Sequence, residues 1–247
     1  MVTKAELVAV SKKEKIPLGT VEKDFILTFI LKKIYESGFS DILVFKGGTA
    51  LHKLYLHKRF SVDLDFTALK RINENDLRSV IEDREIKSKI KDINDIGNST
   101  RITLGYVSVL EFANRIFLDL SKREQPVLPL VRKKIHSPFF EDFEVLTFQL
   151  EELLAEKLRA IMQRKKPRDY LDLFYLLEYG RVDFKKAIKI AEVKLSSFRE
   201  DLDKEKIFER AEFVQSLWER DLREILTSIP DFDRVLGRIK DFFTTQL

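Results

Sequence analysis

Two hydrophobic periods run through this chain, and the switch between them divides it. Up to residue 148, helical stripes alternate with short runs of β-favouring residues; from Gln149 onward the helical period stands alone. Lys4 to Lys15 reads as a short charged helix ended by Pro17. Thr20 is a candidate N-cap for a second helix that runs to Ser37 and stops at Gly38. Phe25, Ile26, Leu27, Phe29, Ile30, Leu31 and Ile34 leave that helix almost no polar face, so it is expected to lie buried against a sheet. Ile42 to Phe45 reads as a buried strand. Ser61 to Phe66 alternates, with Ser61, Asp63 and Asp65 on one face and Val62, Leu64 and Phe66 on the other. Asn73 to Lys91 is charged, with Leu77, Val80 and Ile81 at helical spacing, and Gly97-Asn98-Ser99 marks a turn. Ile102 to Leu110 and Arg115 to Leu120 read as strands. Residues 121–149, with Pro126, Pro129 and Pro138, read as loop with one short strand near Phe143 to Leu146.

In the helical remainder, Leu150, Leu153, Leu154, Leu158 and Ile161 fall on one stripe of a helix spanning Leu150 to Arg164. Lys157 and Arg164 fall inside the same stripe. A cation on a buried face needs a partner. Either acids meet these two in the interior, or they point into a cleft that holds an anion. Pro167 breaks the helix, Asp169 is placed to cap the next one, and Asp169 and Asp172 share a face at i and i+3. Three further helical segments follow: Phe184 to Lys194, Ile207 to Trp218, and Phe232 to Phe243. The expected fold is α+β: a mixed sheet flanked by helices over residues 1–148, then a helical C-terminal domain over 149–247.

Composition narrows the setting. The chain has 247 residues, 44% of them apolar, and no cysteine, so it can bury a core but has neither disulfides nor thiolate metal sites. No apolar run is long enough to cross a bilayer and the first residues are too charged for a signal peptide, so a cytoplasmic location is expected. The net charge of +4 permits a nucleic-acid partner without demanding one. His52, His57 and His136 show no ligand spacing, so no histidine metal site is expected.

The chemistry concentrates in residues 43–66. Lys46-Gly47-Gly48-Thr49 joins the first strand to a helix. Two glycines permit a sharp turn and a close approach of ligand to backbone. Thr49 is a candidate cap for a helix starting at Ala50, and the free N–H groups of a helix start attract phosphate. Asp63 and Asp65, roughly 6.5 Å apart on one strand face, can converge on Mg²⁺, which takes few carboxylates and leaves its other positions to water and phosphate. The spacing is not that of a P-loop.

Phe-Lys-Gly-Gly-Thr-Ala-Leu followed by Arg-Phe-Ser-Val-Asp-Leu-Asp-Phe resembles the nucleotidyltransferase family of AbiEii/AbiGii-type toxins, within the wider DNA polymerase β-like nucleotidyltransferase superfamily. Glu-Lys-Leu-Arg-Ala at 156–160 and Arg-Asp-Tyr-Leu-Asp-Leu at 168–173 resemble that family's later motif. The resemblance covers about residues 20–178. It implies a nucleotidyltransferase-like fold and transfer of a nucleoside monophosphate from a nucleoside triphosphate to an acceptor hydroxyl with Mg²⁺ or Mn²⁺. It implies catalytic roles for Asp63, Asp65, Lys157 and a third carboxylate, for which Asp119 and Glu111 are the candidates. The metal would lie on Asp63, Asp65 and Asp119. The nucleotide would lie on Lys46, Gly47, Gly48, Thr49, Ser61, Lys157, Arg164, Asp169 and Asp172. RNA, with the 3′ end of a tRNA as one form of it, is the implied acceptor, and a cognate antitoxin the implied protein partner. A non-enzymatic nucleotide- or RNA-binding module, transfer to a small molecule, and γ-phosphoryl transfer are the competing readings.

Overall fold

The computed structural model describes every residue except Met1, Arg123, Glu124, Ser197, Lys204 and Leu247, with backbone only for Gln246. Helices α1 (Lys4–Glu14) and α2 (Leu18–Tyr35) lead into β1 (Leu43–Lys46). Helix α3 (Gly47–Leu51) follows at once, continued by a π-helical turn (His52–Leu56). Next come β2 (Asp63–Ala68), α4 (Glu74–Ile81), β3 (Lys89–Ile96), β4 (Ser99–Val107), β5 (Ala113–Ser121), β6 (Val131–Ile135) and β7 (Phe143–Thr147). Helices α5 (Leu150–Gln163), α6 (Pro167–Tyr179), α7 (Phe184–Ser196), α8 (Glu205–Phe208), α9 (Ala211–Leu222) and α10 (Phe232–Gln246) complete the chain.

The strands form one mixed sheet in the order β3-β4-β5-β2-β1-β7-β6. β2 runs parallel to β5 and antiparallel to β1, and β1 runs parallel to β7. Fold class and mixed sheet are as expected. All four residues of β1 are buried, because this central strand has helices on both faces. Leu43 and Phe45 join one apolar cluster with α2, including Phe25, Ile26, Leu64 and Phe66. Val44 joins the other, with Leu51, Leu56 and the helices α5, α6, α7, α9 and α10.

Several local expectations are corrected. Thr20 caps nothing: α2 begins two residues earlier behind Pro17, and the Thr20 hydroxyl donates to the Glu224 carbonyl (3.0 Å). The same helix ends at Tyr35, before Ser37. Helix α4 stops at Ile81, where Glu82 turns extended; a turn closed by the Asp83–Ser88 bridge follows, and the edge strand β3 begins at Lys89. That strand carries charge at half its positions and a bulge between Ile90 and Asp92. Charges and a bulge are how an exposed edge avoids pairing with another chain, and they hide the alternation that marks a strand. Strand β6, Val-Arg-Lys-Lys-Ile, is the other edge and was expected as loop; residues 123 and 124 of that stretch lie outside the described residues.

Candidate active site

Strand register builds the site's floor. Lys46 of β1 pairs with Asp65 of β2, Asp65 with Asp119 of β5, and Asp119 with Arg101 of β4. Directly paired residues share a face, so four strands carry one row of charges, cation–acid–acid–cation, on the face away from α2. Asp63 lies two residues along β2 on the same face. The register thereby separates the two candidates for the third carboxylate: Asp119 is beside Asp65, whereas Glu111 lies in the β4–β5 turn with φ at 62°. Ser61 precedes the strand, which starts at Asp63. It is buried, and its hydroxyl accepts from Arg59 Nη1 (3.3 Å).

The two acids of β2 are electrostatically uncomfortable. Burial, then Asp119 and Asp63, push Asp65 from 3.8 up to about 6. Burial also raises Asp63, with Arg168 opposing and Asp119 adding to the rise. Neither carboxylate has a hydrogen-bond or ion-pair partner among the described residues. Asp119 is gripped by the Arg101 fork, Nε to Oδ1 at 2.8 Å and Nη2 to Oδ2 at 2.7 Å. Among the described residues no three acids or histidines already stand at metal-binding spacing. Two unpartnered hard-oxygen donors that repel each other fit Mg²⁺, which needs few protein ligands. Asp63 and Asp65 are those donors, and Asp119 borders the same space.

Gly47 and Gly48 hold the turn for steric reasons inside the protein. Gly47 has φ +73°, and a Cβ there would stand 2.2 Å from Asp65 Oδ2. A Cβ on Gly48 would stand 2.4 Å from Arg59 Nη2. Helix α3 begins at Gly47 with Lys46 as its cap residue, so Thr49 is no cap; its buried hydroxyl donates to the Asp63 carbonyl and ties helix to strand.

Helices α5 and α6 supply the opposite wall. Lys157 is buried, its Nζ 3.0 Å from Asp169 Oδ1 and 2.7 Å from Asp172 Oδ2. Arg164 donates to Asp169 from Nε (2.6 Å) and Nη2 (2.9 Å). Asp169 is therefore an anchor inside the first turn of α6, not its cap. Asp172 also takes both prongs of the buried Arg59, at 2.8 and 3.0 Å, and Nε2–H of His52 at 2.8 Å. Because His52 Nδ1 accepts from the Lys58 amide, the ring is neutral. Burial and then Arg59 hold its pKa down at about 4. Burial alone would raise Asp169, but Lys157 and Arg164 outweigh it and hold it at about 2. Arg59, Lys157 and His52 likewise keep Asp172 well below the usual range. Three cations face two carboxylates here, so one positive charge is left in excess beside the cleft. The ion-pair reading of the Lys157–Arg164 stripe holds, since acids meet both cations, and the two also line the opening.

Lys46 reaches from the floor to Glu156 of α5 (3.1 Å), which also binds Lys194 (3.3 Å). Between floor and wall lies a cleft of ≈350 Å³ bordered by Lys46, Gly47, Gly48, Asp65, Asp119, Lys157 and Arg164. An adjoining ≈80 Å³ hollow holds Thr49, Asp63, Arg168 and Asp169. Asp172 and Ser61 line neither. Sequence reasoning missed Arg59, His52, Arg101 and Glu156 as partners; only strand register and helix docking reveal them.

A family model described as nucleotidyl transferase AbiEii toxin, type IV toxin–antitoxin system, matches residues 30–238. The chain belongs to the AbiEii nucleotidyltransferase toxin family. A search of curated proteins returned no match. Among solved structures it is similar to MenT4, a nucleotidyltransferase toxin from Mycobacterium tuberculosis H37Rv, at TM-score 0.73 and 19% identity, covering 96% of this chain and 88% of that one. It is also similar to JHP933 from Helicobacter pylori, at TM-score 0.61 and 21% identity, covering 90% of this chain and 89% of that one. At these identities the structures speak for the fold; the family match carries the activity class. This AbiEii family member is a nucleotidyltransferase, and the non-enzymatic module is set aside. Family membership brings a nucleotide substrate and an antitoxin in general terms. No helix among the described residues is long and apolar enough to cross a membrane.

Proposed function

We propose that this protein transfers a nucleoside monophosphate from a nucleoside triphosphate to a hydroxyl of RNA, within the cytoplasm, and that an antitoxin restrains it. The observation that carries the transfer chemistry is the pair Asp63 and Asp65. These are two unpartnered acids, raised by burial and by neighbouring carboxylates, where the cleft meets its adjoining hollow beside surplus positive charge. Asp63 and Asp65 would hold Mg²⁺ or Mn²⁺, which when bound neutralises triphosphate oxygens as negative charge moves to the leaving group.

The chain's own groups do the rest. The start of α3 at Gly47 and Gly48 offers backbone N–H groups to the phosphates. Lys157 and Arg164, each already fixed by a carboxylate, face the departing pyrophosphate without having to reorganise. Asp119, oriented by Arg101, takes the proton of the attacking hydroxyl. A new bond forms from that oxygen to the α-phosphorus, and the bond from the α-phosphorus to the bridging oxygen breaks. Asp169 and Asp172 position the cations and contact no substrate. The acceptor assignment rests on the family resemblance and on a mildly basic chain.

The test is incubation with Mg²⁺, total RNA and each triphosphate labelled at the α- or the γ-phosphate. Transfer of α-label to RNA with release of pyrophosphate, lost in Asp63→Ala, is expected. Transfer of γ-label, or full activity in Asp63→Ala, overturns the assignment.

A further inference from the structure

We propose that the nucleobase seats between the tip of the β3–β4 hairpin and the last two turns of α5, and that Gln163 reads its edge. This rests on the nucleotidyl-transfer reading and adds the determinant of base choice.

The cleft has two chemically different ends. Its charged end is the row Lys46–Asp65–Asp119–Arg101. One step further along the sheet, on the same face, Ser121 pairs with Ser99, roughly 6.5 Å beyond the acids. Above them the last turns of α5 present Ala160, and the hairpin presents Ile96, both bordering the same space. Ile96 is one of few large apolar side chains left in the open, at 58% exposure. An exposed Ile opposite an Ala, beside two small hydroxyl residues, leaves room for a flat ring at this end of the cleft. Phosphates held at the charged end direct the nucleoside toward it.

Specificity needs a polar group whose donor and acceptor cannot trade places. Serine hydroxyls rotate and serve either role, so Ser99 and Ser121 accept any base. Gln163 is different. Its amide oxygen accepts from Arg159 Nη1 (3.1 Å), and its amide nitrogen donates to Glu200 Oε2 (3.2 Å). Those two surface contacts favour one orientation of the amide. Each atom keeps one further capacity, a lone pair on oxygen and an N–H on nitrogen. Gln163 borders the cleft, and a donor and an acceptor side by side at its rim are what two-point reading of a base edge requires.

The experiment measures kcat/KM for ATP, CTP, GTP and UTP in the RNA-labelling assay. In parallel, the binding of each triphosphate is followed by thermal shift, in the wild type and in Gln163→Glu, Gln163→Leu and Ile96→Asp. The wild type is expected to rank the four. Glutamate only accepts, so Gln163→Glu should shift preference toward the amino-bearing bases guanine, adenine and cytosine and away from uracil by roughly tenfold or more. Gln163→Leu should flatten the ranking, and Ile96→Asp should raise KM for all four by roughly tenfold with kcat retained. An unranked wild type, or a ranking unchanged in both Gln163 variants, overturns the proposal. Base-ranked binding governed by Gln163 without any transfer would leave the subsite standing and sink the transfer reading instead.

Discussion

Replacing Asp65 by Asn should stabilise the metal-free protein while destroying its activity. Asp65 sits beside Asp63 and Asp119, and burial plus those neighbours raise its pKa from 3.8 to about 6. A carboxyl with a raised folded pKa binds its proton more tightly folded than unfolded. Its ionisation therefore costs the fold nothing below 3.8, progressively more as pH rises toward 6, and the full amount above. The full amount is on the order of 3 kcal/mol. Asparagine keeps the shape and carries no charge. In chelator at pH 7.5, Asp65→Asn should thus gain up to about 3 kcal/mol in urea unfolding, or roughly 6–12 °C in Tm. At pH 4 the gain should shrink below about 1 kcal/mol. Added Mg²⁺ with a triphosphate should stabilise the wild type and not the variant. A variant no more stable than wild type at pH 7.5, or a gain that persists at pH 4, would refute the claim that burial and like-charge strain at Asp65 are held in reserve for a cation.

Other substitutions separate anchoring from chemistry. Asp172→Ala should cost about 3–5 kcal/mol in urea unfolding, because Arg59 and Lys157 lose a buried counter-charge; a fully stable but inactive variant would make Asp172 a direct participant. Gly47→Ala should abolish transfer and lower stability by about 1–3 kcal/mol, since it forces a left-handed φ and drives a methyl into the Asp65 carboxylate. Its circular dichroism should stay native, and retained activity would contradict the contact. His52, neutral when folded with its pKa near 4 against an ordinary 6.5, should lose the fold on the order of 3 kcal/mol as pH falls between those values. His52→Gln should unfold with less of this acid dependence, and since Asp65 titrates with opposite sign in an overlapping window, each variant is compared with wild type at every pH.

Local pattern alone disclosed much of this protein. Alternation in Ser61 to Phe66 set Asp63 and Asp65 on one face. The stripe of α5 exposed the anomaly of Lys157 and Arg164 among leucines, and the apolar surface of α2 announced a sheet to cover. These signals are legible because each arises within one element, where side-chain direction follows directly from residue spacing. Charged edge strands such as β3 were not legible, because the residues that protect an edge erase the alternation. Nor was Asp119's place beside Asp65, or the grip of Arg101, or the burial of Lys157 between Asp169 and Asp172. Each depends on register or docking between segments far apart in the chain, and a one-residue strand slip would turn Asp65, Asp119 or Arg101 to the other face of the sheet. Chemical type was written in the sequence; convergence on one cleft was decided by how the sheet paired and where α5 and α6 came to rest.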